Sequence, residues 1–225
     1  QIVYDEEVAR RASLTDAQLT TEGIGASEHM TLPLKGRRIR LLLYGGGGCG
    51  KTRVISHVLT KLFRRFYGDR GLVLTAYSNK AARLIGGKTS HTLTKIRGGQ
   101  SLSMPGLRVK NDTERRALAA VWAPAAALVK DEFTQQPGAL EHALAVRAMY
   151  GRERHHSLDC ADYARPKTNY ASLPYVITAG DPLQFPPVPA TSSLLADPDG
   201  QAKEHRVAQS MFEGQDYVCE LKTTM

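Results

Sequence analysis

A chain of 225 residues with 42% hydrophobic and 23% charged side chains holds enough apolar material for one α/β domain and leaves little for a second. No apolar run approaches about 20 residues and no secretory signal pattern is present, so a membrane span and a secreted fold are excluded and an intracellular, soluble protein is expected. The net charge of +8 suits a polyanion partner and suits an ordinary basic surface equally well, while three widely spaced cysteines point to a reducing compartment without a disulfide framework.

Residues 1–33 are polar and weakly periodic and read as a flanking segment. Ser13–Gln18 is able to cap a short helix, but Gln18 stands too far ahead of the next motif for an adenine-reading role to be preferred. From residue 34 to residue 225 the pattern is that of a single α/β unit. Arg40–Tyr44 is a short apolar run with the look of a buried strand, and it leads into Gly45–Thr52, Gly-Gly-Gly-Gly-Cys-Gly-Lys-Thr. This is the phosphate-loop pattern of a glycine, four residues, then Gly-Lys-[Ser/Thr]. Val54, Ile55, Val58, Leu59, Leu62, Phe63 and Phe66 follow at helical spacing. A strand, a glycine loop and a helix N-terminus aim successive N–H groups at one point, which suits a polyphosphate. Gly45, Gly48, Gly50 and Arg53 are expected to line that cradle for ATP, with Lys51 on the β- and γ-phosphates and the Thr52 hydroxyl on Mg²⁺.

Gly71–Ala76 is a second strand candidate, followed by a short helix pattern over Tyr77–Ile85 opened by a Ser/Asn cap. Gly86–Thr92 reads as a turn dense in hydrogen-bonding side chains, either holding the phosphates of a nucleic-acid strand or serving only as a polar turn. Residues 97–110 read as a surface loop. Asn111–Glu114 caps a helix through about Trp122, and Pro124 ends it. Ala125–Val129 is a third strand delivering Lys130, Asp131 and Glu132. Two acids at a strand end are the second half of a triphosphatase site: Asp131 for Mg²⁺ and Glu132 to deprotonate the attacking water. Lys130 is out of place on such a strand, and must snorkel to an edge or pair with an acid.

Gln136–Tyr150 is expected to be helical, with Leu140, Ala143, Leu144, Val146 and Met149 buried. Residues 151–172 read as a basic insertion in which His155, His156, Asp159 and Cys160 crowd together without matching a common zinc spacing. Pro174–Ala179 is a fourth strand. It ends in Gly180–Val188, which places Gln184 near the phosphates, able to gain or lose a bond as the nucleotide changes. Ala202–Phe212 reads as a helix and Tyr217–Leu221 as a final strand.

Taken in order, the phosphate loop, Leu74–Ala82, Gly86–Thr92, Asp131–Phe133 and Gly180–Val188 resemble motifs I, Ia, Ib, II and III of superfamily-one DNA helicases. The similarity is greatest to the PIF-type and RecD-like branch, including helicases carried by Helitron transposons. The Gly-Asp-x-x-Gln-Phe-Pro-Pro segment discriminates best, since phosphate-loop kinases have no evident job for it. The resemblance implies a RecA-like phosphate-loop domain, a mostly parallel sheet flanked by helices, as the first of two such domains. It implies Lys51, Glu132 and Gln184 in catalysis, Thr52 and Asp131 on the metal, and Thr89, His91 and Lys80 toward single-stranded DNA. It also carries 5′-to-3′ polarity, roles in DNA repair and recombination, and a nuclear or mitochondrial location. Tyr77 and Asn79 depart from the proline and glycine usual in motif Ia, and Lys130 from the usual aliphatic residue.

A chain that opens on Gln1 and stops at Met225 reads as a piece of a longer polypeptide or a degraded copy. The second RecA-like domain would bring an arginine worth roughly three to five orders of magnitude in related phosphoryl transfer. The chain alone is therefore expected to bind nucleotide, hydrolyse it slowly and not unwind DNA. The rival expectation is a catalytically silent transposon remnant that binds nucleic acid without turning over ATP.

Overall fold

Near-continuous burial of mostly apolar residues makes Ile39–Gly45 (β1), Leu72–Ala76 (β2), Ala127–Asp131 (β4) and Tyr175–Gly180 (β5) the four inner strands of the fold, covered on both faces. A computed structural model of the protein describes residues 38–96, 101–152, 170, 173–187, 189–197 and 202–222. Lys88–Thr89 (β3) and Tyr217–Leu221 (β6) close the sheet, whose order is β3-β2-β4-β5-β1-β6 with every pairing parallel. Parallel neighbours need crossovers, and the helices supply them on both faces.

One face carries Leu43, Leu74, Ala76, Val129, Ile177 and Ala179 against Ile55, Leu59, Phe63, Ala81, Ala82 and Ile85. Those helical residues belong to α1, which runs on through Lys51–Arg53, Val54–Leu59 and Thr60–Tyr67, and to α2, Asn79–Leu84, with Ile85 just beyond its end. Val54–Leu59 is wound as a π-helix, and Thr60 Oγ1 donates to the Ile55 carbonyl at 2.8 Å within the widened turn. The other face carries Val73, Leu128 and Val176 against Leu118, Trp122, Leu144, Ala145, Ala148 and Met211. These come from α5 (Asp112–Trp122), α6 (Gly138–Arg152) and α7 (Lys203–Glu213).

Most elements lie within a residue or two of their sequence expectation, and four points differ. Val58, one of the apolar residues at helical spacing, is 56% exposed and lies in the π-helical stretch, off the buried face of Ile55 and Leu59. The polar turn at 86–92 resolves into β3 and a short helix, α3 (Ser90–Thr94), capped by Thr89 Oγ1 accepting from the Thr92 N–H at 3.2 Å. The loop expected at 97–110 contains α4 (Met104–Leu107), whose Leu107 is fully buried beside Ala143 and Val146. Met149 is half-buried rather than buried. The Ser13–Gln18 cap and the His155, His156, Asp159 and Cys160 cluster lie outside the described residues.

Candidate nucleotide and nucleic-acid site

The sheet register brings the catalytic candidates to one rim. Tyr44 of β1 is level with Gly180 of β5, and Lys130 of β4 is level with Thr178, so Asp131 and Glu132 follow at the height where the glycine loop begins. Gly45 is dictated by sterics: a Cβ there would stand 2.5 Å from the Leu221 carbonyl and 2.7 Å from Cys49 Sγ. Gly50 caps α1 with φ 89°, a left-handed conformation that an L side chain resists, and Gly48 is also left-handed with φ 77°. The loop closes on its own lysine. Lys51 Nζ donates to the carbonyls of Gly45 at 2.7 Å and Gly46 at 2.8 Å, and lies 3.6 Å from Cys49 Sγ. An ammonium held by two neutral carbonyls is free to trade them for an anion, since charge-assisted bonds are the stronger kind. Arg53 is exposed one residue beyond Thr52.

Asp131 is buried, with the Thr52 hydroxyl beside it favouring its charged form. Burial pushes the Asp131 carboxyl above its ordinary range, and neighbouring Glu132 adds to this; the Glu132 N–H, the Lys51 charge and the Thr52 hydroxyl pull the other way. Glu132 sits in left-handed backbone with φ 56° and ψ 44°, a costly conformation for a residue with a Cβ. Two bonds hold it there: its N–H donates to Asp131 Oδ1 at 2.9 Å, and Ser78 Oγ donates to its Oε2 at 2.9 Å. Ser78 also accepts from the Ala81 N–H at 3.2 Å, so one hydroxyl caps α2 and orients the candidate base.

Gln184 lies on the turn after β5. Its N–H donates to the Asp181 carbonyl at 3.1 Å, and its Oε1 stands 3.5 Å from Gln135 Nε2, just past Glu132. Leu183 and Phe185 on either side are 92% and 90% exposed. The residues expected to meet DNA sit at the other end of the sheet, on β3 and the helices beside it. Thr89 caps α3, His91 is exposed with its ring 6.0 Å from that of Tyr77, and Lys80 lines a shallow groove of about 500 Å³ with Asn79, Arg83 and Leu84. Four strand spacings separate β3 from β1, roughly 19 Å. Among the described residues no cluster of three or more His, Cys, Asp or Glu side chains forms a further metal site, and no helix is long and apolar enough to cross a membrane.

A family model described as an AAA domain matches residues 35–190, which takes in the phosphate loop, both acids and Gln184. The chain belongs to that family. Its sheet is the RecA-like fold of the Pif1 helicases. The Pif1 helicase from Candida albicans superposes with a TM-score of 0.60 at 23% identity, over 83% of this chain and 36% of that one. Bacteroides sp Pif1 in complex with ADP-AlF4 gives 0.54 at 18% identity, over 84% and 39%. Bacteroides Pif1 in complex with ADP-AlF3 and ssDNA gives 0.52 at 17% identity, over 85% and 40%. The chain thus spans about two-fifths of the length of the structures it matches, and no curated protein sequence matches it. The Pif1-like resemblance carried by the motif series is borne out in fold, and the family shown is that of the AAA domain.

Within this AAA domain the misplaced lysine has a partner. Lys130 lies on the Leu128 face of the sheet, beneath α6, and its Nζ donates to Glu141 Oε1 and, at 3.2 Å, to Tyr170 OH. It does not snorkel to an edge: it is 6% exposed. Tyr170 OH also donates to Glu141 Oε1, and burial, then the Glu141 charge, push that phenol well above its ordinary range. Gln136 Nε2 donates to Glu141 Oε2 at 2.5 Å, and Ser90 Oγ donates to Gln136 Oε1 at 2.5 Å. Gln136, Glu141 and Tyr170 did not stand out in the sequence, and Ser78 and Ser90 did so only as part of a helix cap and of a polar turn. The one available signal was Glu141 itself, an acid that with His142 interrupts the apolar run Ala139–Val146.

Proposed function

We propose that this AAA domain is the nucleotide-binding and hydrolysing motor half of an ATP-dependent 5′-to-3′ DNA helicase, acting with a second RecA-like domain. The observation that carries the reading is the Thr52 hydroxyl beside the buried Asp131, at the mouth of a glycine loop whose lysine is held by the Gly45 and Gly46 carbonyls and by Cys49 Sγ. The donor set fits Mg²⁺: a hydroxyl and a carboxylate are hard oxygens, and a buried acid pushed upward by burial gains from a neighbouring cation. Thr52 and Asp131 would hold that ion, Asp131 directly or through water. When bound, it supplies neutralisation of charge on the β- and γ-phosphates.

The rest is the work of the chain's own side chains. Lys51 leaves the Gly45 and Gly46 carbonyls for phosphate oxygens, while the loop N–H groups and the α1 N-terminus orient the triphosphate. Glu132, aimed by Ser78 and by its left-handed backbone, accepts a proton from the attacking water. Gln184, on a turn fastened to Asp181 and touching Gln135, exchanges that neighbour for the γ-phosphate. Thr89, His91 and Lys80 present hydroxyl, imidazole and ammonium to a single strand's phosphates. The exposed Leu183 and Phe185 suit contact with the second domain.

Pif1 neighbours in complex with ADP-AlF4 and with ssDNA support the same two ligands here. The Lys130 departure no longer favours a silent remnant, because Glu141 neutralises it. Titration of this chain with a fluorescent ADP analogue and Mg²⁺ tests the reading. Binding that Lys51→Ala abolishes is expected. DNA binding with no magnesium-nucleotide affinity would instead identify a remnant. In a longer chain carrying the second domain, ATPase activity is expected to rise with single-stranded DNA, and absence of that rise refutes the motor.

A further inference from the structure

We propose that Lys130, Glu141 and Gln136 are positioning residues that transmit the state of the strand-facing turn at Ser90 to the acid pair Asp131–Glu132. The inference rests on the function proposed above, since it connects that function's two sites.

Glu141 grips both flanks of the acid pair. Its Oε1 accepts from Lys130, the residue before Asp131, and its Oε2 accepts from Gln136, one 3-10 turn (Phe133–Gln135) beyond Glu132. The far arm of Gln136 accepts from Ser90, which lies between Thr89 and His91 and points inward, 3.2 Å from Thr75 Oγ1. Ser90, Thr75, Gln136, Glu141, Lys130 and Tyr170 are all buried, so water does not compete for these bonds.

The register adds a second line of support. Thr75, Lys130 and Thr178 are cross-strand neighbours, forming one polar row beneath the α6 side, one residue short of Ala76, Asp131 and Ala179. Stability does not account for such a row, because apolar replacements of buried ion pairs are often neutral or stabilising. The hydrogen-bonded network runs from Ser90, beside β3, to Lys130 on β4, two of the four strand spacings between the strand-facing edge and the phosphate-loop strand. Its output is the Glu132 backbone, held in a left-handed conformation that is costly for a residue with a Cβ. A displacement of Ser90 on strand binding pulls Gln136 and with it the turn that carries Glu132.

The test measures coupling in this chain: affinity for a fluorescent ADP analogue with Mg²⁺, with and without saturating oligothymidylate. Wild type is expected to show a difference of about fivefold or more. Ser90→Ala and Gln136→Met are expected to bring that ratio to unity while each ligand alone binds within about threefold of wild type, and Ser90→Thr, which keeps the hydroxyl, is expected to retain it. A merely structural network lowers the melting temperature of Gln136→Met and leaves the ratio unchanged, which overturns the proposal. Should Gln136→Met fail to fold, Ser90→Ala, the loss of one oxygen, decides. Wild type that binds both ligands with a ratio of one overturns the relay and leaves the motor reading standing. Wild type that binds no magnesium nucleotide removes both.

Discussion

Replacing Glu141 with leucine isolates the energetics of the lysine beside the metal-ligand candidate. The substitution leaves the Lys130 ammonium beneath α6 with only Tyr170 OH for company, and strips Gln136 Nε2 of its acceptor. Breaking a buried ion pair from one side costs about 3–5 kcal/mol. About 3–5 kcal/mol is a large share of a typical stability of about 5–15 kcal/mol and lowers the melting temperature by roughly 6–20 °C.

Trp122 provides the probe for this measurement. It is the sole tryptophan and fully buried against the sheet, so urea unfolding followed by its fluorescence reports the domain directly. One further outcome is fixed by the same physics. The pair Lys130→Met with Glu141→Leu removes both charges and is expected to return to within about 1.5 kcal/mol of wild type. A single variant within about 1 kcal/mol of wild type, or a pair no better than the single, refutes the account of Lys130 as a neutralised buried cation.

Asp131→Asn is expected to melt higher than wild type at pH 7 without ligand, while losing magnesium-nucleotide affinity. Burial raises the folded carboxyl, so the folded state holds more protons and wild-type stability falls as pH rises from the ordinary aspartate range through the raised value; thermal scans from pH 4 to 7 should show that slope in wild type and not in the variant. His142 has the opposite sign: burial lowers it, with Glu204 opposing and Lys203 assisting, so stability is lost as pH falls from about 6.5 through the lowered value, and His142→Asn should flatten that acid limb. Gly45→Ala drives a Cβ to 2.5 Å from the Leu221 carbonyl; about 1–3 kcal/mol of urea stability should be lost, with hydrogen exchange rising first along β6.

Much of the candidate site was legible because its parts are contiguous. The phosphate loop is eight residues whose glycines answer to the backbone itself, as the left-handed Gly50 shows. The acid pair and Gln184 each follow an apolar strand, so their delivery to a sheet edge was readable from the runs before them. Ser78 was legible only in half: its cap to Ala81 is local, whereas its bond to Glu132 crosses 54 residues. Lys130 was visible as an anomaly, but its resolution lay 11 residues ahead in Glu141 and 40 ahead in Tyr170. Leu107 appeared to belong to a polar loop because nothing near it in sequence shows the Ala143 and Val146 surface that covers it.

What the sequence by itself determined is which residues form strands, which glycines must bend and which acids stand at strand ends, since backbone preference and side-chain period act over a few residues. The order β3-β2-β4-β5-β1-β6 was decided only in three dimensions. It sets β5 between the loop strand and the acid strand, and sends the DNA-facing candidates to the far edge. That choice belongs to long-range burial: parallel strands joined by helices gain their pairing energy only when both faces are covered, and no local stretch encodes its neighbour.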